Sequence, residues 1–272
     1  MSSSLKQRKS TVTSYRSRNK YRIQSRIQFV FRAGHHNGHG IHSPYLYHLI
    51  TNILNNDYPY YCFDTIETAL KSRPASHHPS LLEQGKHLFG KHLPFTLSTE
   101  TRIANSRILF RLAHDMKADY IVETCFCGYP DSAYLVKARP NAHFLCLNTS
   151  QEQTNAAKEL FQLLDISSVD CRTSPGGCDF KRTLEGFPRI DLVLFNPLND
   201  KQLLLDLFQR CLEKKQASSI FVFKNIHHSK NMEAVWKLVK ANPEVSVSID
   251  IFSMGILLFR PDLEKRAYII RK

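Results

Sequence analysis

Glycine is scarce in this chain, with ten in 272 residues, about half the usual ~7%. A glycine-rich nucleotide loop is therefore hard to place. Long apolar runs are also missing. None approaches the ~18 residues of a membrane-spanning helix, so no transmembrane segment is expected. The first 20 residues contain no apolar h-region, which argues against a secretory signal. Their acid-free, Ser- and Arg-rich composition leaves an organelle transit peptide open as a second reading. The seven cysteines (62, 125, 127, 146, 171, 178 and 211) are odd in number and scattered through apolar patterns. That suits reduced thiols in a cytoplasmic protein and not a disulfide framework. Hydrophobic residues are 42% and charged residues 22%, which excludes wholesale disorder. The length suits one large domain, or a domain with a smaller cap.

Acidic residues are absent from residues 1–32, which hold Lys6, Arg8, Lys9, Arg16, Arg18, Lys20, Arg22, Arg26 and Arg32. This segment carries +9 of the formal +13, leaving +4 on the other 240 residues. Such an arm attracts RNA or another polyanion by counterion release. Arg16, Arg18, Lys20, Arg22 and Arg26 are the candidate contacts. A solvated tail that aids solubility is the plainer reading. Residues 20–33 have helical spacing, with Ile23, Ile27, Val30 and Phe31 recurring on one side and Arg22 and Arg26 on another. This basic amphipathic helix can dock on the body of the protein or face RNA or a membrane surface.

The chain divides into a basic arm over 1–19, a helical and irregular extension over 20–100, and a main domain over 101–272. Gly38 and Gly40 break the first helix. Ser43-Pro44 then reads as N-cap and first helical position, starting a helix over about 44–55. His36, His39 and His42 invite a metal reading, but no Cys or carboxylate lies nearby. Residues 73–98 read as a long connection. From 101 the pattern is regular. Buried apolar runs at 120–124, 143–147, 168–172, 190–195, 219–223, 245–252, 255–259 and 267–270 follow or alternate with helical stretches. The fold class is α/β. It is a Rossmann-like, doubly wound sheet, mostly parallel, with an antiparallel hairpin at the carboxyl end.

Ligands of such sheets bind beyond the carboxyl ends of the strands. The residues there are Glu123 to Ser132 after the first strand, Asn148-Thr149-Ser150 after the second, Asn196-Pro197 after the fourth and Lys224-Asn225-Ile226-His227 after the fifth. At these positions the chain resembles the class I S-adenosylmethionine-dependent methyltransferases. It is most similar to a bacterial group marked by Gly-His-Gly-Ile-His-Ser-Pro, here Gly38 to Pro44. The likeness extends over residues 20–272 and includes Ile249-Asp250-Ile251-Phe252 and Gly255-Ile256. It implies S-adenosylmethionine as cofactor, held by Glu123, Cys125, Cys127, Gly128, Tyr129, Ser132, Asn148 and Asn196. It implies a substrate side at His39, His42, Ser43 and Asn225, with His227 as a candidate catalytic base.

The chain departs from the family pattern at four places. Two glycine positions fall on Cys125 and Tyr129, and glycine serves there by letting the backbone turn and approach the cofactor. The ribose-binding carboxylate is replaced by Asn148, which accepts without charge. Lys224 stands where metal-dependent relatives carry Asp, and an ammonium repels a divalent ion. No metal is therefore expected. Asn196-Pro197 is half of the Asn-Pro-Pro-aromatic motif of amino-group methyltransferases, and a strand-ending proline explains it equally well. Two hypotheses follow. One is an active, metal-independent methyltransferase of unknown substrate. The other is an inactive methyltransferase-like binding module that works through its basic arm.

Overall fold

A computed structural model of the chain describes residue 21 and residues 23–34, 40–71, 99–125, 130–175 and 179–272. Helix α1 spans 23–32. Helix α2 (Pro44–His48) runs into a π-helical turn, Leu49–Leu54. Then come α3 (Tyr61–Lys71) and α4 (Thr99–Asp115). The sheet region follows as β1 (Tyr120–Thr124), α5 (Asp131–Ala138), β2 (His143–Asn148), α6 (Gln151–Leu163) and β3 (Val169–Thr173). It continues as α7 (Phe180–Glu185), β4 (Ile190–Phe195), α8 (Lys201–Leu212), β5 (Lys215–Lys224) and α9 (Lys230–Lys240). The chain closes with β6 (Val247–Asp250), β7 (Met254–Leu258) and β8 (Arg266–Ile269).

The eight strands form one sheet in the order β3-β2-β1-β4-β5-β7-β6-β8. The strands from β3 to β5 pair in parallel. β7 is antiparallel to both β5 and β6. This is the Rossmann-like methyltransferase architecture expected from the alternation of apolar runs and helices. β8 departs from a simple hairpin succession, since it pairs in parallel with β6 at the edge.

Strand pleating sorts side chains between two cores. Ile121, Leu192, Leu194, Ile220 and Val222 face a core shared with α2 to α6. Val122, Val193, Phe195, Phe221 and Phe223 face a second core shared with α7 to α9. Phe195 and Phe223 stack there at 4.3 Å between centroids. Residues Ile41 to Ile66 belong to the first core, so the segment before the sheet packs on it. Gly255 in β7 lies under the indole of Trp236, and a Cβ there would meet ring carbons at 2.6 Å. Gly255→Ala is expected to lower stability by about 1–3 kcal/mol through overpacking. Urea denaturation monitored by the fluorescence of this single tryptophan reads it directly.

Caps follow the sequence. Ser43 Oγ accepts the Leu46 N–H at 3.4 Å, with Pro44 opening α2. Ser150 and Gln153 form a capping box on α6. The expected single helix over 44–55 is corrected at its second half. The Asn55 N–H donates to the Ile50 carbonyl at 2.9 Å, five residues back. The wider turn buries Leu49, Ile50, Ile53 and Leu54 together. Arg111 Nε donates to the Ile53 carbonyl at 2.8 Å. Strand β5 starts at Lys215, four residues before its apolar run. Strand β6 stops at Asp250, because the Ile251 N–H donates to the Met254 carbonyl at 3.0 Å and closes a tight turn. Phe252 adopts φ 66° in that turn.

Helix α1 docks on the body, but through the face opposite to its aliphatic stripe. Ser25 and Phe29 are buried, while Ile23, Ile27, Val30 and Phe31 are exposed. Residues 1–19 and 73–98 lie outside the described residues. Among those described, no helix is long and apolar enough to cross a membrane.

Candidate functional site

The strand order reverses between β1 and β4, so the crevice of this sheet opens at their carboxyl ends. Cys125 leaves β1 with φ 59°, in the left-handed region that favours glycine. Its N–H donates to the Leu147 carbonyl at 2.6 Å, which ties the turn to β2. The glycine backbone geometry is thus kept by a residue with a side chain. That conformation costs ~1–2 kcal/mol for an L-residue. The Cys125 thiol is fully buried in the second core. Desolvation pushes its pKa up to about 12, so it is a packing group and not a nucleophile.

Glu123, 1% exposed, stands at the end of β1 with both carboxyl oxygens engaged. Asn196 Nδ2 donates to Oε1 at 2.9 Å. The Ser132 hydroxyl donates to Oε2. The structure therefore brings together three of the residues expected at the cofactor. Burial raises the Glu123 pKa to about 7, and the neighbouring Asp131 pushes the same way. The donors Ser132 and Asn196 and the Lys224 ammonium oppose the rise without cancelling it.

Beside this cluster lies a buried ion pair. Lys224 Nζ, from the end of β5, donates to Asp131 Oδ2 at the start of α5. Asp131 is fully buried, and Lys224 is 2% exposed. Ser106 of α4 donates its hydroxyl to Asp131 Oδ1 at 2.6 Å. The ammonium thus answers an aspartate of its own chain. Asn105, one residue before Ser106, accepts from the Ser253 hydroxyl at 3.0 Å. Its buried Nδ2 has no hydrogen-bond partner among the described residues.

Asn148, expected from the resemblance to meet a ribose, is fully buried. Its Nδ2 donates to Thr154 Oγ1 at 3.2 Å and lies 3.5 Å from Cys146 Sγ. Thr154 shares a hydrogen bond of 2.6 Å with Thr173 of β3.

The fifth-strand residues form a second group. Asn225 takes φ 54°, its N–H donating to the Ser253 carbonyl at 2.7 Å. His227 Nε2 and Asp250 Oδ2 are 2.8 Å apart. Asp250 Oδ1 accepts the Phe252 N–H at 2.9 Å, so one carboxylate orients both the histidine and the β6–β7 turn. The His227 ring stacks on Phe252 at 5.3 Å and 18°. Phe29 of α1 closes over both rings, and Arg26 lies 5.9 Å from the Phe252 centroid. Left-handed backbone at Cys125, Asn225 and Phe252 thus gathers at the carboxyl ends of β1, β5 and β6, the kind of strain that functional sites store.

Not every expected residue joins these groups. Ser43 spends its hydroxyl on capping α2, and His42 is exposed at the surface. His36, His39, Cys127, Gly128, Tyr129, Arg16, Arg18, Lys20 and Arg22 lie outside the described residues. Among those described, no three His, Cys, Asp or Glu side chains are placed to hold a metal ion. Sequence reasoning missed Asp131, Ser106 and Thr154. A charged residue opening the first helix of a doubly wound sheet was the available signal for Asp131. Asp250 was in view only as part of a family pattern.

No family model matches the chain, and no curated protein does. Solved structures share its fold. The O-methyltransferase from Bacillus cereus, in complex with S-adenosylhomocysteine, is 14% identical with a TM-score of 0.51, covering 76% of this chain and 95% of that one. The O-methyltransferase TomG from Streptomyces achromogenes, involved in tomaymycin synthesis and in complex with S-adenosylmethionine, is 15% identical with a TM-score of 0.51. It covers 73% of this chain and 97% of its own. The S-adenosylhomocysteine-bound methyltransferase PaMTH1 from Podospora anserina is 14% identical with a TM-score of 0.50, covering 75% and 99%.

Proposed function

We propose that this chain is a member of the class I S-adenosylmethionine-dependent methyltransferase family whose cofactor edge is closed by its own side chains. It binds S-adenosylmethionine weakly or not at all. It works as a binding module, with residues 1–32 holding a polyanionic partner. The free thiols of Cys62, Cys125, Cys146, Cys171 and Cys211 suit a reducing, cytoplasmic setting.

The observation that carries this reading is how the strand-end side chains are spent. Glu123 is engaged by Ser132 and Asn196. Asn148 is fully buried, its Nδ2 donating to Thr154 and lying beside Cys146. Lys224 and Asp131 neutralise each other between β5 and α5. A cofactor would have to break buried hydrogen bonds before forming its own, and each unmade bond costs about 1–3 kcal/mol. The described side chains at Glu123, Lys224 and Asp131 do not fit S-adenosylmethionine.

One observation favours the second reading, an active and metal-independent methyltransferase. The turn at Cys125 keeps the glycine-like backbone that a cofactor turn needs. In that reading His227, oriented by Asp250, is the base. Thermal melting separates the two. Ligand at about 100 times its Kd stabilises by ~2.7 kcal/mol, or roughly 5–10 °C for a chain of this size. Millimolar S-adenosylhomocysteine is expected to leave the midpoint within about 1 °C. A rise of several degrees would restore the active reading.

A further inference from the structure

Helix α1 is held by one face and is apolar on the other. The Tyr21 hydroxyl donates to Glu233 of α9. Ser25 is buried, and Phe29 packs edge-on against Phe252 and His227 at 5.2 and 6.1 Å. The Gly34 N–H donates to the Ile269 carbonyl of β8 at 3.3 Å. These contacts fix the roll of the helix about its axis. The outward side then shows Ile23, Ile27, Val30 and Phe31, which are 63%, 52%, 40% and 87% exposed. At ~100° per residue they occupy an arc of roughly 100°, on the side away from Ser25. A helix that merely capped the body would be polar there. A contiguous apolar stripe on an otherwise docked helix marks an interaction surface.

Charge decides what the stripe meets. Arg26 is exposed and flanks it, one helical step from Val30. Residues 1–32 carry nine Lys and Arg and no acid. RNA would answer the charge and can stack a base on Phe31, but it gains nothing from the aliphatic Ile23, Ile27 and Val30. A second copy would answer the stripe but would bring two such basic segments together. An anionic bilayer answers both. Apolar side chains enter the headgroup–acyl boundary, and Lys and Arg meet acidic headgroups.

We infer that α1 docks this protein on an anionic lipid surface through Ile23, Ile27, Val30 and Phe31. The inference rests on the reading that the basic segment is the working part. It does not depend on whether the cofactor binds.

The test uses the full chain and vesicles of two compositions, phosphatidylcholine alone and phosphatidylcholine with about one-third phosphatidylserine. Cosedimentation is expected with the acidic vesicles, roughly tenfold weaker with the neutral ones, and weakened by salt. The double variant Ile27→Asp, Phe31→Asp changes only exposed positions, so its melting midpoint should match the parent. Its partitioning should fall roughly tenfold. A variant that partitions like the parent would overturn the role of the stripe. So would a chain that ignores acidic vesicles yet retains single-stranded RNA. A dimer that the double variant dissociates would assign the stripe to a second copy instead. Vesicle binding lost while S-adenosylhomocysteine binds tightly would overturn this inference and the closed-site reading together. Vesicle binding kept beside tight cofactor binding would overturn the closed site alone.

Discussion

Replacing Lys224 with Met is expected to cost about 3–5 kcal/mol of stability, because it strands the fully buried Asp131 carboxylate. The pair itself is a weak source of net stability. Taking both charges out of water offsets most of their attraction. The size of the loss comes from the charge left behind, with the Ser106 hydroxyl as its remaining side-chain donor among the described residues. The double variant Lys224→Met, Asp131→Leu removes both charges and fills the space with apolar atoms. It is expected to lie within about 1–2 kcal/mol of the parent. Urea denaturation of the parent, the two single variants and the double variant gives the coupling. Losses that simply add would show that the pair does not act as a unit.

Stability is expected to fall by about 3 kcal/mol as pH rises from about 5 to above 7, through Glu123 alone. Its carboxyl has an ordinary pKa of 4.5, and burial raises it to about 7 in the folded chain. Between those values the folded protein holds a proton that the unfolded chain has released. The contribution is fully present below about 4.5 and is lost as pH rises through about 7. Glu123→Gln removes the titration while keeping the shape. The Ser132 hydroxyl can turn to accept from the new amide, and Asn196 can still donate to the amide oxygen. The variant should therefore be more stable than the parent at pH 8 and lack this descent. Chemical denaturation across pH 5 to 8 checks it. Parallel profiles for parent and variant would place the titration elsewhere.

Much of the architecture was legible because buried parallel strands read as apolar runs. Ile190–Phe195 is such a run and is β4. The Ser43-Pro44 start of α2 was equally plain, since the cap is chemistry confined to four residues. Side-chain partners were less legible. Lys224 and Asp131 lie 93 residues apart, and only the sheet order makes them neighbours. The sequence shows Lys224 as an ammonium at a strand end but does not show its partner, the buried Asp131. Cys125 carried no glycine to announce its left-handed backbone, which the Leu147 carbonyl and core burial enforce. Periodicity revealed the stripe on α1 but not which side the body occupies. Phe29 decided that by finding Phe252 and His227.

These results describe a methyltransferase fold in which the strand ends are occupied from within. Glu123, Asn148 and Lys224 each answer another side chain of the same protein. The most direct measurement is calorimetric titration of the full chain with S-adenosylmethionine and S-adenosylhomocysteine. No saturable heat is expected up to about millimolar ligand, where a Kd of 1 mM corresponds to only ~4.1 kcal/mol of binding free energy. Saturation at micromolar concentration, about 8.2 kcal/mol, would contradict it and show that the buried bonds at Glu123 and Asn148 open for a ligand.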